Sequence, residues 1–497
     1  MLYSEFIFSN IRVCNMPSSS IFGNDSGEDE NPDVLSSYFV ELPQFARFNS
    51  AEHPLGIVRA RKGMGKSALL SRLHHSIQKN PQDIVIKVTG NELLGMGDFA
   101  GKGSAYIENS WKKVICQRIC IEIGSKIGFA ASDLKMSLVE SAEIEGFKDK
   151  NIVSALTDRV GSIIKLAIGK GGDAAMDLGG VTSKKTITNP QESLRRYQEQ
   201  KQCGRVWFLV DDVDAKYKNN EHFQELVGSF FTAIRSLAFS VNGLCIRASV
   251  RTDVWYNLRT MEDQDKLRQY VIDISWNDTA LKKILSRKIL AFFMRTTNDP
   301  IIARYDEKKN YNDIMDLVFE KTFPWNGGRV EPFIPIKTLS GARPRWMGQL
   351  CKLACDHAGR LISIDNVKDA MDSFGTEKVA DLEKEHAHQF SDVKKLINAF
   401  RGGEREYNLY SLIKRIEDYY VGRVGDVPDI DGYPFKDTQR LGELLFKIEF
   451  ISGRRRDERN GFKLYQDEPD LFELKENSDN LILWAINPSY RKYLQIR

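Results

Sequence analysis

A glycine-containing loop between an apolar run and a periodic helix has the residue types needed to bind an anion. Residues 55–70 of this 497-residue chain read LGIVRARKGMGKSALL, a pattern of strand, loop and helix. Backbone N–H groups of such a loop bind phosphate at the helix N-terminus, where the helix dipole favours negative charge. Lys66 would reach the terminal phosphates of a nucleotide, and the Ser67 hydroxyl would bind Mg²⁺. The candidate ligands are Gly63, Met64, Gly65, Lys66, Ser67 and Ala68.

The first position of this loop departs from the usual phosphate-binding pattern. A glycine normally precedes the Gly-Lys-Ser triplet with four residues between them, and here that position is Ala60. Because alanine avoids positive φ, we expect the beginning of the loop to differ slightly in backbone geometry. The alternative interpretation is a chance Gly-Lys-Ser in an ordinary strand-to-helix turn.

An acidic run follows a second apolar segment. Residues 205–214 read RVWFLVDDVD, which predicts a strand buried on both faces of a parallel sheet. Acids at the carboxyl end of such a strand lie where open α/β sheets bind ligands. Asp211 is the candidate Mg²⁺ ligand, and Asp212 is the candidate base for an attacking water. Glutamate is common at the second position, so the shorter Asp212 leaves the hydrolysis rate open. A solvated acidic turn is the simpler alternative.

A third apolar run, residues 243–251, predicts a neighbouring strand that ends in Arg251. From there Arg251 would face the γ-phosphate and stabilise developing charge. Arg247 and Arg259 are candidates for an arginine that acts in a neighbouring copy. The order strand, loop, helix, strand and helix predicts an α/β fold, with a parallel sheet flanked by helices.

Composition limits the partners, metal sites and cellular compartment that we expect for the protein. The net charge of +3 does not by itself indicate a polyanion partner, and the 42% hydrophobic content is ordinary for a globular chain. The seven cysteines form no Cys-x-x-Cys pair, so a zinc site is not expected. An odd cysteine count without a leader-like segment predicts a reducing, cytoplasmic setting. No run of roughly 18 apolar residues occurs, so we expect no membrane span.

Changes in composition predict the domain organisation. We expect a flexible N-terminal segment (1–33), a P-loop core (34–280), a helical lid (281–375) and a winged-helix-like domain (376–497). Residues 129–200 read as an insertion in the core. Residues 152–168 in that insertion have helical spacing, which fits a packed helix better than a membrane-surface one. The glycine-rich residues 169–180 fit a lid, a partner loop or a plain linker.

The order of these motifs resembles that of AAA+-type ATPases. The shared features are the P-loop, the Asp211-Asp212-Val-Asp214 run, Ser249-Val-Arg251 and the turn at residues 340–345, which reads SGARPR. The acidic run is most similar to the STAND branch, and the origin-recognition branch is the other close resemblance. In these families an arginine at the start of the lid helix touches the γ-phosphate, which implies Arg343 or Arg345, with Arg345 favoured. The resemblance implies ATP and Mg²⁺ as cofactors and ATPase activity.

The C-terminal pattern of helices followed by a basic hairpin predicts a winged helix. We place its hairpin strands at residues 462–465 and 480–486, after a charged turn that begins at Arg454. A DNA-binding version would use the arginines on phosphates. The neighbouring acids favour a protein-contact surface instead.

Three functions therefore remain open. The first is an ATP-hydrolysing switch that couples nucleotide state to self-assembly or to an effector protein. The chain also resembles poorly characterised bacterial P-loop ATPases found beside antiviral defence genes, which implies a defence setting for that switch. The second is an origin-recognition-like DNA-binding ATPase, and the third is a structural module with an inactive nucleotide site. We expect a homo-oligomer or an effector complex, we do not favour a nucleic-acid partner, and we expect no membrane partner.

Overall fold

The computed structural model describes most of the chain. The described residues are 21–100, 103–127, 133–144, 189–200, 204–214, 221–258, 264–297, 299–457, 461–465 and 467–496. Much of the expected insertion, including its glycine-rich stretch, lies outside the described residues, and so does Arg259.

A five-stranded parallel sheet forms the centre of the N-terminal half. Its strands are β1 (Leu55–Ala60), β2 (Ile84–Thr89), β3 (Val206–Asp211), β4 (Leu244–Arg251) and β5 (Val271–Asp273). Their order in space is β2-β3-β4-β1-β5, so β4 separates the strand before the glycine loop from the acidic strand. Every residue of β3 is buried, as its apolar run predicted. The sheet and the loop after β1 confirm the P-loop NTPase fold.

Helices cover both faces of this sheet. They are α1 (Pro32–Tyr38), α2 (Phe45–Asn49), α3 (Lys66–Gln78), α4 (Gly90–Met96), α5 (Ser104–Lys126), α6 (Asp133–Ile144), α7 (Pro190–Gln198), α8 (Glu221–Ser240), α9 (Thr252–Asn257) and α10 (Gln264–Leu267). On one face, Leu69 and Leu70 of α3 join the core beneath β1 and β3. On the other face, Trp111 of α5 packs edge-on against Phe230 of α8. Its indole N–H also donates to the carbonyl of Leu226 at 2.9 Å.

Residues 21–31, which we call the N-terminal strap, are packed against the rest of the chain. Phe22 is fully buried, and the Lys288 ammonium donates to its carbonyl at 2.7 Å. Asp25 forms an ion pair with Lys352 at 2.5 Å. Of the flexible segment expected over residues 1–33, residues 1–20 lie outside the described residues, and the described part is packed. The polar composition of the strap concealed its partners, because they come from helices more than 200 residues later in the sequence.

A helical segment, residues 278–386, follows the sheet. It contains α11 (Asp278–Thr296), α12 (Tyr311–Met315), the hairpin β6 (Phe323–Trp325) and β7 (Gly328–Val330), α13 (Phe333–Leu339), α14 (Pro344–Asp356) and α15 (Ile364–His386). The helix α15 continues past residue 375, the expected end of the lid, because Val379 and Leu382 extend its buried apolar face. Within the described ranges, no helix has the length and apolar character required to cross a membrane.

The remaining elements form a winged-helix arrangement, which we call the C-terminal module (residues 393–496). It contains α16 (Val393–Asn398), β8 (Glu406–Tyr407), α17 (Leu409–Tyr419), α18 (Gln439–Lys447), β9 (Ile451–Arg455), α19 (Lys475–Ser478), β10 (Ile482–Ile486) and α20 (Pro488–Arg491). The three strands pair antiparallel in the order β8-β10-β9. This confirms the winged-helix-like fold expected from the sequence.

The predicted position of the first hairpin strand in this module was wrong. The strands that pair with β10 are β8 and β9, and residues 462–465 make only an isolated bridge, between Gly453 and Lys463. Arg454 and Arg455 therefore lie within a strand and not in a charged turn. The strand was misplaced because only the first three residues of β9 are buried. The last two residues of β9 are the arginines that we assigned to the turn.

Candidate functional site

The glycine loop has the backbone geometry of a phosphate-binding turn. Gly63 and Gly65 adopt φ of 81° and 99°, a region that only glycine enters without strain. Lys66 begins α3 directly after Gly65, so the first N–H groups of the helix face the loop. Ala60 ends β1 and is absent from the positive-φ positions of the described chain. Alanine at this position therefore needs no left-handed backbone, which removes the reason to expect a distorted loop.

Lys66 is held within the loop. Its ammonium donates to the carbonyl of Ala60 at 3.0 Å and to that of Arg61 at 3.4 Å, and the residue is only 7% exposed. In this arrangement the Lys66 ammonium is hydrogen-bonded to the loop carbonyls. To bind a phosphate, Lys66 would have to leave these carbonyls.

The acidic end of β3 faces the same region. Asp211 accepts a hydrogen bond from the Ser249 hydroxyl at 2.5 Å, which ties β3 to β4. Side chains alternate along a strand, so Asp211 shares the face of Trp207 and Leu209, which is the face that α3 covers. The backbone N–H of Asp212 donates to Asp211 and to Ser249, each at 3.1 Å.

Buried carboxylates next to one another change the acidity of this site. Burial, followed by the charges of Asp211 and Asp214, raises the pKa of the Asp212 carboxyl to about 6. Asp212 has a φ of 49°, a left-handed conformation that Asp and Asn tolerate better than most residues. At neutral pH the carboxylate is mostly ionised, and its pKa is close enough to 7 for a general base.

Asp214 is a third acid of this site, and its sequence context alone predicted no role for it. It is 1% exposed and accepts a hydrogen bond from the backbone N–H of Arg251 at 2.8 Å. Burial raises its pKa. One oxygen of Asp214 and one of Asp211 are buried without a hydrogen-bond partner in the described part of the chain. These carboxylate oxygens, together with Ser67, are the ligand types that Mg²⁺ prefers. The residues present therefore fit a magnesium ion.

The raised pKa of Asp212 predicts a pH-dependent effect on stability. Between pH 3.8, the ordinary pKa of an aspartate, and about pH 6, the folded state binds more protons at Asp212 than the unfolded state does. Ionisation of Asp212 therefore destabilises the fold as pH rises. We expect Asp212→Asn to raise the free energy of unfolding by about 1 to 2 kcal/mol above pH 6. The gain should vanish below about pH 4.

Chemical denaturation across this pH range in EDTA measures the effect, and Asp429→Asn, at an exposed position, is the control. A stability difference that stays constant with pH would contradict the expected cost of ionising Asp212.

The loop, the acids and the helical segment enclose a cavity of about 410 Å³, which we call the central cavity. Its polar wall contains Gly63 through Ala68 of the loop, together with Asp212, Asp214, Arg251 and Arg345. Its apolar wall comes from elements that the sequence analysis left without a role: Leu35, Tyr38, Phe39, Val40, Phe45, Trp276 and Ile284. The indole N–H of Trp276 donates to the carbonyl of Met64 at 2.9 Å, which fixes this apolar wall to the loop.

Arg251 lies in the wall of the central cavity, as expected, but acids hold its guanidinium. It forms ion pairs with Asp253 at 2.5 Å and with Glu385 at 3.1 Å. Burial alone would lower the pKa of Arg251, but the two acids raise it above its usual value. Since Glu385 belongs to α15, Arg251 connects the end of β4 to the helical segment.

The structure separates the two arginines proposed for the lid turn. Arg345 lies in the cavity wall; its backbone N–H donates to Gly63 at 3.2 Å and its Nε donates to the carbonyl of Asp25 at 2.7 Å. Arg343 lies away from the cavity, 6% exposed, with its guanidinium 4.1 Å from the centre of the Trp346 ring. In this arrangement the side chain of Arg343 pairs with Glu449 of the C-terminal module and does not line the cavity.

Arg247 is unsuited to act in a neighbouring copy. It is fully buried, and its guanidinium donates to carbonyl groups of residues 48, 50 and 53 beneath the sheet. Arg247 therefore fixes the backbone of the segment that precedes β1. The other candidate, Arg259, lies outside the described residues.

Neither a protein-family model nor a curated protein matches this chain. A Walker-type ATPase of Pyrococcus abyssi aligns at 14% identity with a TM-score of 0.39, covering 95% of this chain and 100% of that chain. The ORC2 protein of Aeropyrum pernix, in ADPNP–ADP complexes, aligns at 11% identity with a TM-score of 0.42 over 94% of this chain and 96% of that one. Drosophila ORC bound to DNA aligns at 11% identity with a TM-score of 0.29, over 93% of this chain and 96% of that chain. These TM-scores are too low to carry a functional argument, so the fold assignment rests on the sheet and loop of this chain.

Proposed function

We propose that this chain is an ATP-binding and ATP-hydrolysing molecular switch that couples its nucleotide state to self-assembly or to an effector protein. The supporting observation is that three separate parts of the chain line one cavity. The glycine loop, Asp212 and Asp214 after β3, and Arg345 of the helical segment all line the central cavity. A nucleotide in that cavity would contact the sheet and the helical segment together, so its binding or loss would bias how the two are held.

Each wall of the cavity has a defined part in this proposal. Phosphates would lie against the N–H groups of residues 63–68 and the ammonium of Lys66. The apolar wall around Phe39 and Phe45 would contact the nucleobase. Mg²⁺, held by Ser67 and Asp211, would neutralise phosphate charge when bound. Asp212 would accept a proton from the attacking water.

Two arginines make the contacts that we expect to change when the nucleotide binds. In the present arrangement the Arg345 guanidinium donates to the Asp25 carbonyl of the N-terminal strap, and Arg251 is paired with Asp253 and Glu385. To reach the γ-phosphate, Arg345 would release the strap. ATP would thereby replace a contact within the chain by a contact with ligand, and hydrolysis would restore the internal contact.

The C-terminal module fits protein contact better than DNA contact. Arg454 pairs with Glu406 at 3.5 Å, and Arg455 pairs with Glu468 at 2.6 Å. A DNA-reading wing benefits from uncompensated positive charge, because phosphate contacts supply its affinity. These two arginines are already compensated by acids of the same module. Duplex binding that falls steeply with salt would instead support the origin-recognition-like alternative.

A role in bacterial antiviral defence is the setting that the sequence resemblance suggests. In that setting we propose that an effector protein carries the damaging chemistry. The switch would then control when that effector is assembled or released.

Sizing the purified protein by light scattering tests the switch directly. We expect the oligomer distribution to differ between ATP with Mg²⁺ and ADP, with slow ATP hydrolysis in the same sample. The Lys66→Ala variant should respond to neither nucleotide. Lys79→Ala, an exposed substitution just after α3, should behave as wild type. A folded wild-type chain with one size in every condition and no turnover would instead support the structural-module alternative.

A further inference from the structure

One carboxylate of the C-terminal module binds two arginines from the neighbourhood of the central cavity. Glu449 accepts a hydrogen bond from Arg61, which lies in the turn after β1, and another from Arg343 at 2.6 Å. Arg343 immediately precedes α14, two positions before Arg345. Glu449 lies between α18 and β9 with a φ of 59°. The phosphate loop, the lid turn and the C-terminal module therefore meet at this side chain.

This cluster is buried and unequal in charge. The side chains of Arg61, Arg343 and Glu449 are 12%, 7% and 6% exposed. Burial lowers the pKa of the Arg61 guanidinium, the Glu449 charge opposes that effect, and the Arg343 charge adds to it. Removing the carboxylate would leave two buried guanidinium groups close together, which is strongly unfavourable. The contact between the module and the loop therefore depends on Glu449.

Arg61 also connects this cluster to Lys66. Its backbone carbonyl accepts the Lys66 ammonium at 3.4 Å, and the same carbonyl accepts the N–H of Met64 at 3.4 Å. Arg61 thus holds the loop through its backbone while its side chain holds Glu449. If phosphates draw Lys66 away from these carbonyls, the backbone of Arg61 loses a contact that fixes its side chain toward Glu449.

We propose that Glu449 is a positioning residue that couples the phosphate loop to the C-terminal module. Docking of the C-terminal module through Glu449 stabilises the loop arrangement in which the Lys66 ammonium donates to the carbonyls of Ala60 and Arg61. Nucleotide binding weakens that docking. The inference rests on the proposed function, because it requires nucleotide to bind at the loop. By linkage, docking must weaken nucleotide binding by the same factor by which nucleotide weakens docking, so loss of docking must strengthen nucleotide binding.

The Glu449→Gln variant tests this coupling. We expect it to bind ADP and ATP about tenfold more tightly than wild type, within the usual range of coupling between sites. In wild type, saturating ADP should accelerate amide hydrogen exchange in residues 448–455. In the variant, exchange there should be fast already and insensitive to ADP. The matched control is Glu468→Gln, which removes an arginine-paired carboxylate within the module.

A second variant protects the test against misfolding. Arg61→Gln removes the loop end of the cluster and leaves Arg343 and Glu449 as a balanced pair, so we expect it to fold and to show the same tighter binding. The coupling would be overturned if both variants bound nucleotide no more tightly than wild type, or if ADP left exchange at 448–455 of wild type unchanged. A wild-type chain that binds no nucleotide would overturn the proposed function itself, which is a distinct result.

Discussion

Replacing Lys66 by alanine is expected to lower the affinity for ATP about 10-fold to 150-fold, since a hydrogen bond to a charged group contributes about 1.5 to 3 kcal/mol. Among the described residues the Lys66 ammonium donates only to loop carbonyls, and alanine is a good helix former at the first position of α3. We therefore expect the variant to fold. The buried position of Lys66 makes a small loss of stability reasonable, and thermal unfolding should be measured beside binding.

Anisotropy of a fluorescent ATP analogue with Mg²⁺ measures this effect. Lys79→Ala changes the charge equally at an exposed position and serves as the control. If Lys66→Ala folds and binds the analogue as tightly as wild type does, the assignment of residues 63–68 as the phosphate site is wrong.

Asp212→Asn is expected to preserve ATP binding and to lower turnover about 100-fold to 10,000-fold, which is the usual contribution of a general base. The amide keeps the size of the side chain and tolerates the left-handed backbone at this position, with its φ of 49°. It cannot accept a proton from water. A steady-state assay of phosphate release, with binding measured on the same preparation, separates the two effects.

Asp212→Glu supplies the matched variant for the base. Glutamate restores the carboxylate and extends it by one methylene, so we expect turnover equal to or above that of wild type. Full turnover in Asp212→Asn would exclude Asp212 as the base, and weakened ATP binding would assign it a role in holding the ligand.

Local patterns predicted the core of the site because each depends on a few neighbouring residues. Gly63 and Gly65 carry the positive φ angles of the loop, and the apolar run before Asp211 forms a fully buried strand. The same kind of reasoning placed Arg251 at the end of β4 and in the cavity wall. A turn and a buried parallel strand are encoded in short stretches, so one sequence is enough to recognise them.

Long-range contacts account for what the sequence did not show. The apolar wall around Phe39 and Phe45 belongs to the cavity only because α1 and α2 fold back beside the loop. Arg343 and Arg345 are two residues apart and have similar chemistry, yet Glu449 holds only the first. No local pattern records that a residue about a hundred positions later decides between them.

Calorimetric titration of ATP with Mg²⁺ into the wild-type chain tests the central claim most directly. We expect saturable binding of one nucleotide per chain, weakened strongly by EDTA because Ser67 and Asp211 would no longer share a cation with the phosphates. Folded protein that shows no saturable binding of ATP, ADP or another nucleoside triphosphate would contradict the account.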